Sequence, residues 1–160
     1  MELNNFANYL DRARPIGVLY VDVYPYSFNS AGEVEYLLLK RRGDVVMPLQ
    51  WQPACGKINT GERITEAFSR QVQKKTGKIP RELRKVDYVN VFFDECYDTV
   101  MMVPVATCEI ERDVIVDVSL HVEFAFVPYD QLPQYSLFDA QTQVYSLLHR
   151  IILKASTSKL

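Results

Sequence analysis

Apolar residues recur along this chain in two rhythms. Between residues 64 and 72 they fall at helical spacing, as Ile64, Ala67, Phe68 and Val72. On a wheel of about 100° per residue these four form an inner arc, and Arg63, Glu66, Ser69, Arg70, Gln73 and Thr76 occupy the opposite side. Gln71 and Lys75 fall inside the apolar arc and Lys74 at its edge, where a core-facing helix would carry Leu or Ala. Gly77 then reads as the residue just past the helix end, with Pro80 as a stop. A second helical stripe, Gln141, Tyr145, Leu148 and Ile152, predicts a closing helix over 137–153.

Runs rich in β-branched and aromatic residues predict strands over 16–24, 34–40, 86–92, 99–108, 114–118 and 123–127. The first two are expected to form a hairpin-like pair. The segment 25–33 between them, PYSFNSAGE, reads as a loop, RRGD as an exposed turn and PYDQLP as a turn before the last helix. Pro104 places its strand at an edge or at a bulge. Residues 1–14, with Leu3, Phe6 and Leu10, suit a short capping helix, and the last seven residues suit a frayed tail. A long helix after mixed strands, then more strands and a final helix, predicts an α+β fold with a sheet between helices.

Composition narrows the classes. The chain has 160 residues, enough for one domain with a full core, expected to span 1–160 with its core over about 14–153. It is 48% apolar and 24% charged with a net charge of −2, which is globular and carries no basic footprint for a nucleic acid polymer. Three cysteines, Cys55, Cys96 and Cys108, at unrelated spacings argue against a disulfide scaffold or a zinc site and for reduced, buried thiols. No membrane-spanning run and no apolar leader is seen, so the expectation is a cytoplasmic protein with no membrane partner.

The stretch from Gly56 to Gly77, GKINTGERITEAFSRQVQKKTG, resembles the Nudix box, G-x5-E-x7-R-E-(apolar)-x-E-E-x-G. Gly56, Glu62, Arg70, Val72 and Gly77 stand in register, while the three helix glutamates are replaced by Gln71, Lys74 and Lys75. The run from Trp51 to Gly56 adds to the resemblance, with core packing as the other account of Trp51. The resemblance implies a Nudix-type α/β/α sandwich with a mixed sheet. In the family, the box glutamates hold Mg²⁺, which carries the diphosphate of a nucleotide-derived substrate. Here the substitutions move the formal charge of that face from about −3 to about +2, and an ammonium about 4 Å from a divalent ion is repelled by roughly 8 kcal/mol at an effective dielectric of about 20. A lysine meets phosphate oxygens directly instead. The competing account of Lys74 and Lys75 is a solvated pair at a helix C-terminus, favoured by about 0.3–1 kcal/mol.

The remaining carboxylates define an alternative. Glu62 keeps the early acidic position of the box, with pairing to Arg70 or a lysine as its other account. Arg70 matches the box arginine, or else pairs with Glu66 one turn away. His121 and Glu123 resemble a weaker family pattern in which a glutamate assists the metal or acts as base, against the reading of an exposed strand start. His121 is the better placed histidine for proton transfer, and His149 reads as surface.

Three expectations follow. The first is a Nudix-fold protein that binds a nucleotide or another phosphorylated small molecule through Gly56, Lys57, Gly61, Arg70, Gln71, Lys74 and Lys75, with metal-dependent hydrolysis weak or lost and no certain cofactor. The second is an active nucleoside triphosphate pyrophosphohydrolase using Mg or Mn held by Glu62 and Glu123, with His121 as a catalytic candidate. Its nearest look is to small dATP- or dihydroneopterin-triphosphate-cleaving members. The third is a partner-binding module without a ligand pocket. The resemblance also leaves a homodimer open, since relatives often pair.

Overall fold

The structure, a computed structural model, describes residues 20–95 and 98–157. The expected capping helix over 1–14, the first four residues of the strand read from Ile16, Cys96 and the last three residues of the tail lie outside the described residues. In chain order the elements are β1 (Tyr20–Phe28), β2 (Val34–Arg41), β3 (Trp51–Gln52), β4 (Ala54–Lys57), α1 (Ile64–Thr76), β5 (Arg81–Asp94), β6 (Thr99–Glu109), β7 (His121–Pro128), a 3₁₀ turn (Tyr129–Gln134) and α2 (Asp139–Thr157).

All seven strands belong to one mixed sheet. β1 runs parallel to β6 and antiparallel to β2 and β4, while β5 lies antiparallel on β6 and β7 on β2. β1 forks the sheet: Tyr20 to Val23 pair with β4, and Tyr26 to Phe28 pair with β2. Pro25 sits between those two partners, where no ladder donor is required. That is why the strand runs on through Phe28, four residues into the segment read as a loop. Only the turn at Asn29–Glu33 remains, held by the Asn29 Oδ1 accepting from the N–H groups of Ala31 and Glu33.

Each face of the sheet carries a helix, giving the expected α+β sandwich. α1 covers a core of Val21, Val23, Leu37, Leu39, Ala54, Ala106 and Cys108 through Ala67, Phe68 and Val72. α2 covers the other face, where Tyr24, Tyr36, Leu38 and Val105 meet Val144, Tyr145, Leu148 and Ile152. Tyr145 stands edge-on to both Tyr24 and Tyr36, at ring distances of 4.8 and 5.1 Å.

Several expectations change. Residues 114–118 form no strand. Their backbone instead caps α1, with Ile115 N–H donating to the Thr76 carbonyl and Asp117 N–H to that of Lys75, which satisfies carbonyls a helix end leaves open. Val114 and Val116 turn into the α1-side core while Ile115 and Val118 face solvent. Thr76, placed on the outer side by the wheel, is fully buried and bonds its hydroxyl to the Val72 carbonyl, whereas Ile64 is exposed at the first turn. Glu66 does not pair with Arg70; its carboxylate accepts the Arg63 N–H and closes the helix start. α2 extends to Thr157, three residues beyond the expected start of the tail at 154. Pro104 lies inside β6 between β1 and β5, so the edge reading fails and the bulge reading holds: the β5–β6 register slips between Lys85 and Val89, opposite it.

Candidate phosphate-binding site

The loop and helix of the box are braced by the chain's own side chains. Arg70 reaches back eight residues and donates from Nε and Nη2 to the Glu62 carboxylate at 2.5 and 2.7 Å, with Nη2 also on the Lys57 carbonyl. The Asn59 N–H donates to the same carboxylate at 2.8 Å. Together these hold the Glu62 carboxyl down at about 2, with the Arg70 bond the largest cause. Gly61, at φ +76°, supplies the left-handed turn just before it.

Gln71 is buried, and its amide donates to the Lys57 carbonyl at 2.8 Å. Gly56 is glycine for a steric reason: a Cβ there would overlap the Gln71 amide. Lys75, one turn on, is 4% exposed, while Lys74 is exposed. Burial pushes the Lys75 ammonium down, and among the groups around it Cys55 and Asp117 favour its charge while Lys74 and Arg41 oppose it. No ion pair within 4.0 Å is found for Lys75 among the described residues.

His121 lies beside this lysine and is 1% exposed, which replaces the picture of an exposed strand start. The Arg41 Nη1 donates to Gln52 Oε1 at 3.2 Å, which turns the Gln52 amide nitrogen toward His121 Nε2 at 3.0 Å. The guanidinium has only donors, so the amide must donate to Nε2, and the imidazole proton is assigned to Nδ1. Burial, with the charges of Lys75 and Arg41, lowers His121 to about 4. A ring whose accepting nitrogen is already occupied offers a donor rather than a base. Glu123 stands at the open end of β7, directly across from Lys40 and bridged to it at 3.2 Å.

The carboxylate and amide donors present do not fit Mg²⁺ or Mn²⁺. Such ions take several oxygen ligands in near-octahedral array. Glu62 is saturated by Arg70 and a backbone N–H, Glu123 is paired with Lys40, and Gln71 is spent on Lys57. No cluster of three His, Cys, Asp or Glu able to hold a metal is found among the described residues.

On the α2 side, Asp22 is buried at the fork of β1. Its Oδ2 lies 3.4 Å from the Gln141 amide and 3.5 Å from the Tyr24 hydroxyl, and Cys55 is its partner across to β4. Desolvation raises its carboxyl to about 6. Burial likewise pushes the Cys55 and Cys108 thiols up, Cys55 to about 12; Cys108 is buried as expected, whereas Cys55 is only half-buried. His149 is half-buried rather than on the surface, 3.1 Å from the Tyr36 hydroxyl and stacked on Tyr129 at 4.3 Å. Trp51 packs edge-on against Tyr135 at 5.1 Å, with the Lys40 ammonium over its ring.

The sequence reading missed Arg41, Gln52, Asp117 and Asp22. Only Asp22 carried a signal, an acidic residue inside a run read as a buried strand. Of the residues it singled out, the fold gathers Gly56, Lys57, Gln71, Arg70 and Glu62 around one loop and Lys75 with His121, while Glu123 stands apart with Lys40.

Residues 20–148 match the family model described as NUDIX domain. Among solved structures, the NUDIX domain of Shewanella oneidensis NrtR complexed with ADP ribose is 17% identical with a TM-score of 0.73, covering 95% of this chain and 99% of that one. A Caenorhabditis elegans Ap4A hydrolase binary complex is 17% identical with a TM-score of 0.65, covering 84% and 98%. A MutT protein from Methanosarcina mazei Go1 is 23% identical with a TM-score of 0.64, covering 81% and 92%. The comparison with curated protein sequences gives no match.

Proposed function

This chain belongs to the Nudix family, and from that premise we propose that it binds a nucleotide or another phosphorylated small molecule without metal-dependent hydrolysis. The observation that carries this reading is Lys75, a buried cation whose neighbours Lys74, Arg41 and the His121 N–H bring further positive charge or donors, with Asp117 the facing carboxylate. A buried charge without a close partner is costly, and a phosphate oxygen is the partner that this arrangement suits. Lys74 at the rim and the loop from Gly56 to Glu62, with Lys57 and Gly61, complete the approach, and Arg70 fixes that loop through Glu62.

Hydrolysis needs a base and a means of acidifying water. Gln71 cannot accept a proton near neutral pH, His121 presents a donor, and the carboxylates Glu62 and Glu123 are engaged elsewhere. The NrtR domain, described as complexed with ADP ribose, makes ADP-ribose the first nucleotide to test. The experiment is calorimetric titration with ADP-ribose and with inorganic diphosphate, in chelator and in Mg²⁺ or Mn²⁺, alongside assay of phosphate release. Equal affinity in chelator and metal with no release is expected. Metal-dependent turnover abolished by Glu123→Ala would replace this reading with an active hydrolase using Glu62 and Glu123.

A further inference from the structure

The loop of residues 42–50 between β2 and β3 holds an apolar tip out in solvent. Val46 is 72% exposed, Leu49 56% and Met47 49%. Met47 at φ +54° and Leu49 at φ +61° occupy left-handed backbone, which a side chain with a Cβ disfavours. Strain of this kind persists only where surrounding contacts hold it in place. At the tip Arg41 supplies such a contact, donating from Nε to the Val46 carbonyl at 2.7 Å. The two ends are pinned separately. The Arg41 N–H bonds the Gln50 carbonyl at 2.9 Å, and Arg42 donates from its backbone to the Leu120 carbonyl and from its guanidinium to that of Val118.

The same Arg41 belongs to the candidate phosphate site. Its Nη1 donates to Gln52 Oε1 at 3.2 Å, the amide that orients His121, and its charge acts on both Lys75 and His121. Nη2 has no acceptor, and Arg41 no ion pair, among the described residues. The guanidinium, the Lys75 ammonium and the His121 Nδ1–H are therefore three donors gathered at one place, and Lys75 and His121 are both more than nine-tenths buried. A charged phosphate oxygen makes a bond about twice as strong as a neutral carbonyl does, and a guanidinium takes phosphate with two parallel N–H groups. The edge of the fork not committed to Gln52 is the one formed by Nε and Nη2, and Nε is the group now on Val46. Phosphate and loop compete for one edge of one side chain.

We propose that Arg41 binds the ligand's phosphate together with Lys75 and His121 and is at the same time the latch of the β2–β3 loop: in turning to the phosphate it lets go of the Val46 carbonyl, and the freed tip closes over the group joined to that phosphate. This rests on the reading of Lys75 as a phosphate partner. Release relaxes the left-handed backbone at Met47 and Leu49, and closure takes the side chains of Val46, Met47 and Leu49 out of water, so both changes favour the bound form. A bare phosphate opens the latch but gives the tip nothing to cover.

The test uses the full chain with ADP-ribose and inorganic diphosphate as probes, each in chelator. At saturating ADP-ribose, oxidation of Met47 by dilute peroxide, mapped by mass spectrometry of peptides, should slow several-fold while that of Met102, half-buried on β6, stays the same. Met47→Ser with Leu49→Ser should weaken ADP-ribose several-fold in calorimetry and leave diphosphate affinity unchanged. Arg41→Lys keeps the charge without the fork. With no ligand present it should be nicked by chymotrypsin after Leu49 several-fold faster than the parent, because the tip is no longer held. ADP-ribose binding with Met47 oxidation unchanged, equal losses of the two probes in the serine variant, or Arg41→Lys nicked no faster than the parent would overturn the latch and leave the phosphate site standing. Failure of both probes to bind the parent would overturn the two together.

Discussion

Replacing Lys75 by Met should make the protein more stable and a poorer ligand binder, two effects of opposite sign from one change. Lys75 is 4% exposed, has no ion pair within 4.0 Å among the described residues, and its ammonium is pushed down by desolvation. Met keeps the length and flexibility of the chain and removes the buried charge. Exchanges of buried charge for apolar volume gain about 1–2 kcal/mol, which in a chain of this size is about 2–8 °C in Tm. Asp117 loses an attractive neighbour but stays held by the Ser119 N–H at 3.1 Å, so little is given back. On the ligand side, one charge-assisted bond to a phosphate oxygen contributes about 1.5–3 kcal/mol, a loss of about 10- to 150-fold in affinity. Thermal melts and ADP-ribose calorimetry on the same preparations read both. Lys74→Met is the control: Lys74 is exposed, and its change should leave stability within about 0.5 kcal/mol. A Lys75→Met variant that melts lower and binds ADP-ribose as tightly as the parent would refute the reasoning.

Three further outcomes are expected. Gln71→Glu, Lys74→Glu and Lys75→Glu together should create Mn²⁺ binding measurable by calorimetry; a silent titration by a folded variant would mean that the helix face does not stand where the box register puts it. Gly56→Ala should destabilise by about 1–3 kcal/mol because the new methyl overlaps the Gln71 amide, and adding Gln71→Ala should recover part of the loss in denaturant melts. Glu62 is held near 2 in the fold against about 4.5 free, so its contribution to stability is present above pH 4.5 and lost as pH falls toward 2. Glu62→Gln should therefore flatten the acid limb of the stability curve over that window, and an unchanged limb would show that the Arg70 pairing does not persist in solution.

The sequence alone determined what local periodicity and spacing can carry. α1, its glycine stop at φ +67°, the buried positions of Gln71 and Lys75, and the stripe on α2 were all legible because a helix places residues by a fixed angle per step. That Gln71, Lys74 and Lys75 stand where the resemblance expects glutamates was equally legible, since it is a matter of residue type at known intervals. What it could not determine depends on partners distant in the chain. Residues 114–118 look like a strand, yet their N–H groups are taken by the end of α1, a choice made by proximity rather than by propensity. Arg41, Gln52 and His121 are separated by up to 80 residues and become one hydrogen-bonded chain only when β2, β3 and β7 lie side by side. Residues 25–28 look like the start of a loop, yet they continue β1, because the fork in the sheet that spares Pro25 the need for a donor exists only in three dimensions.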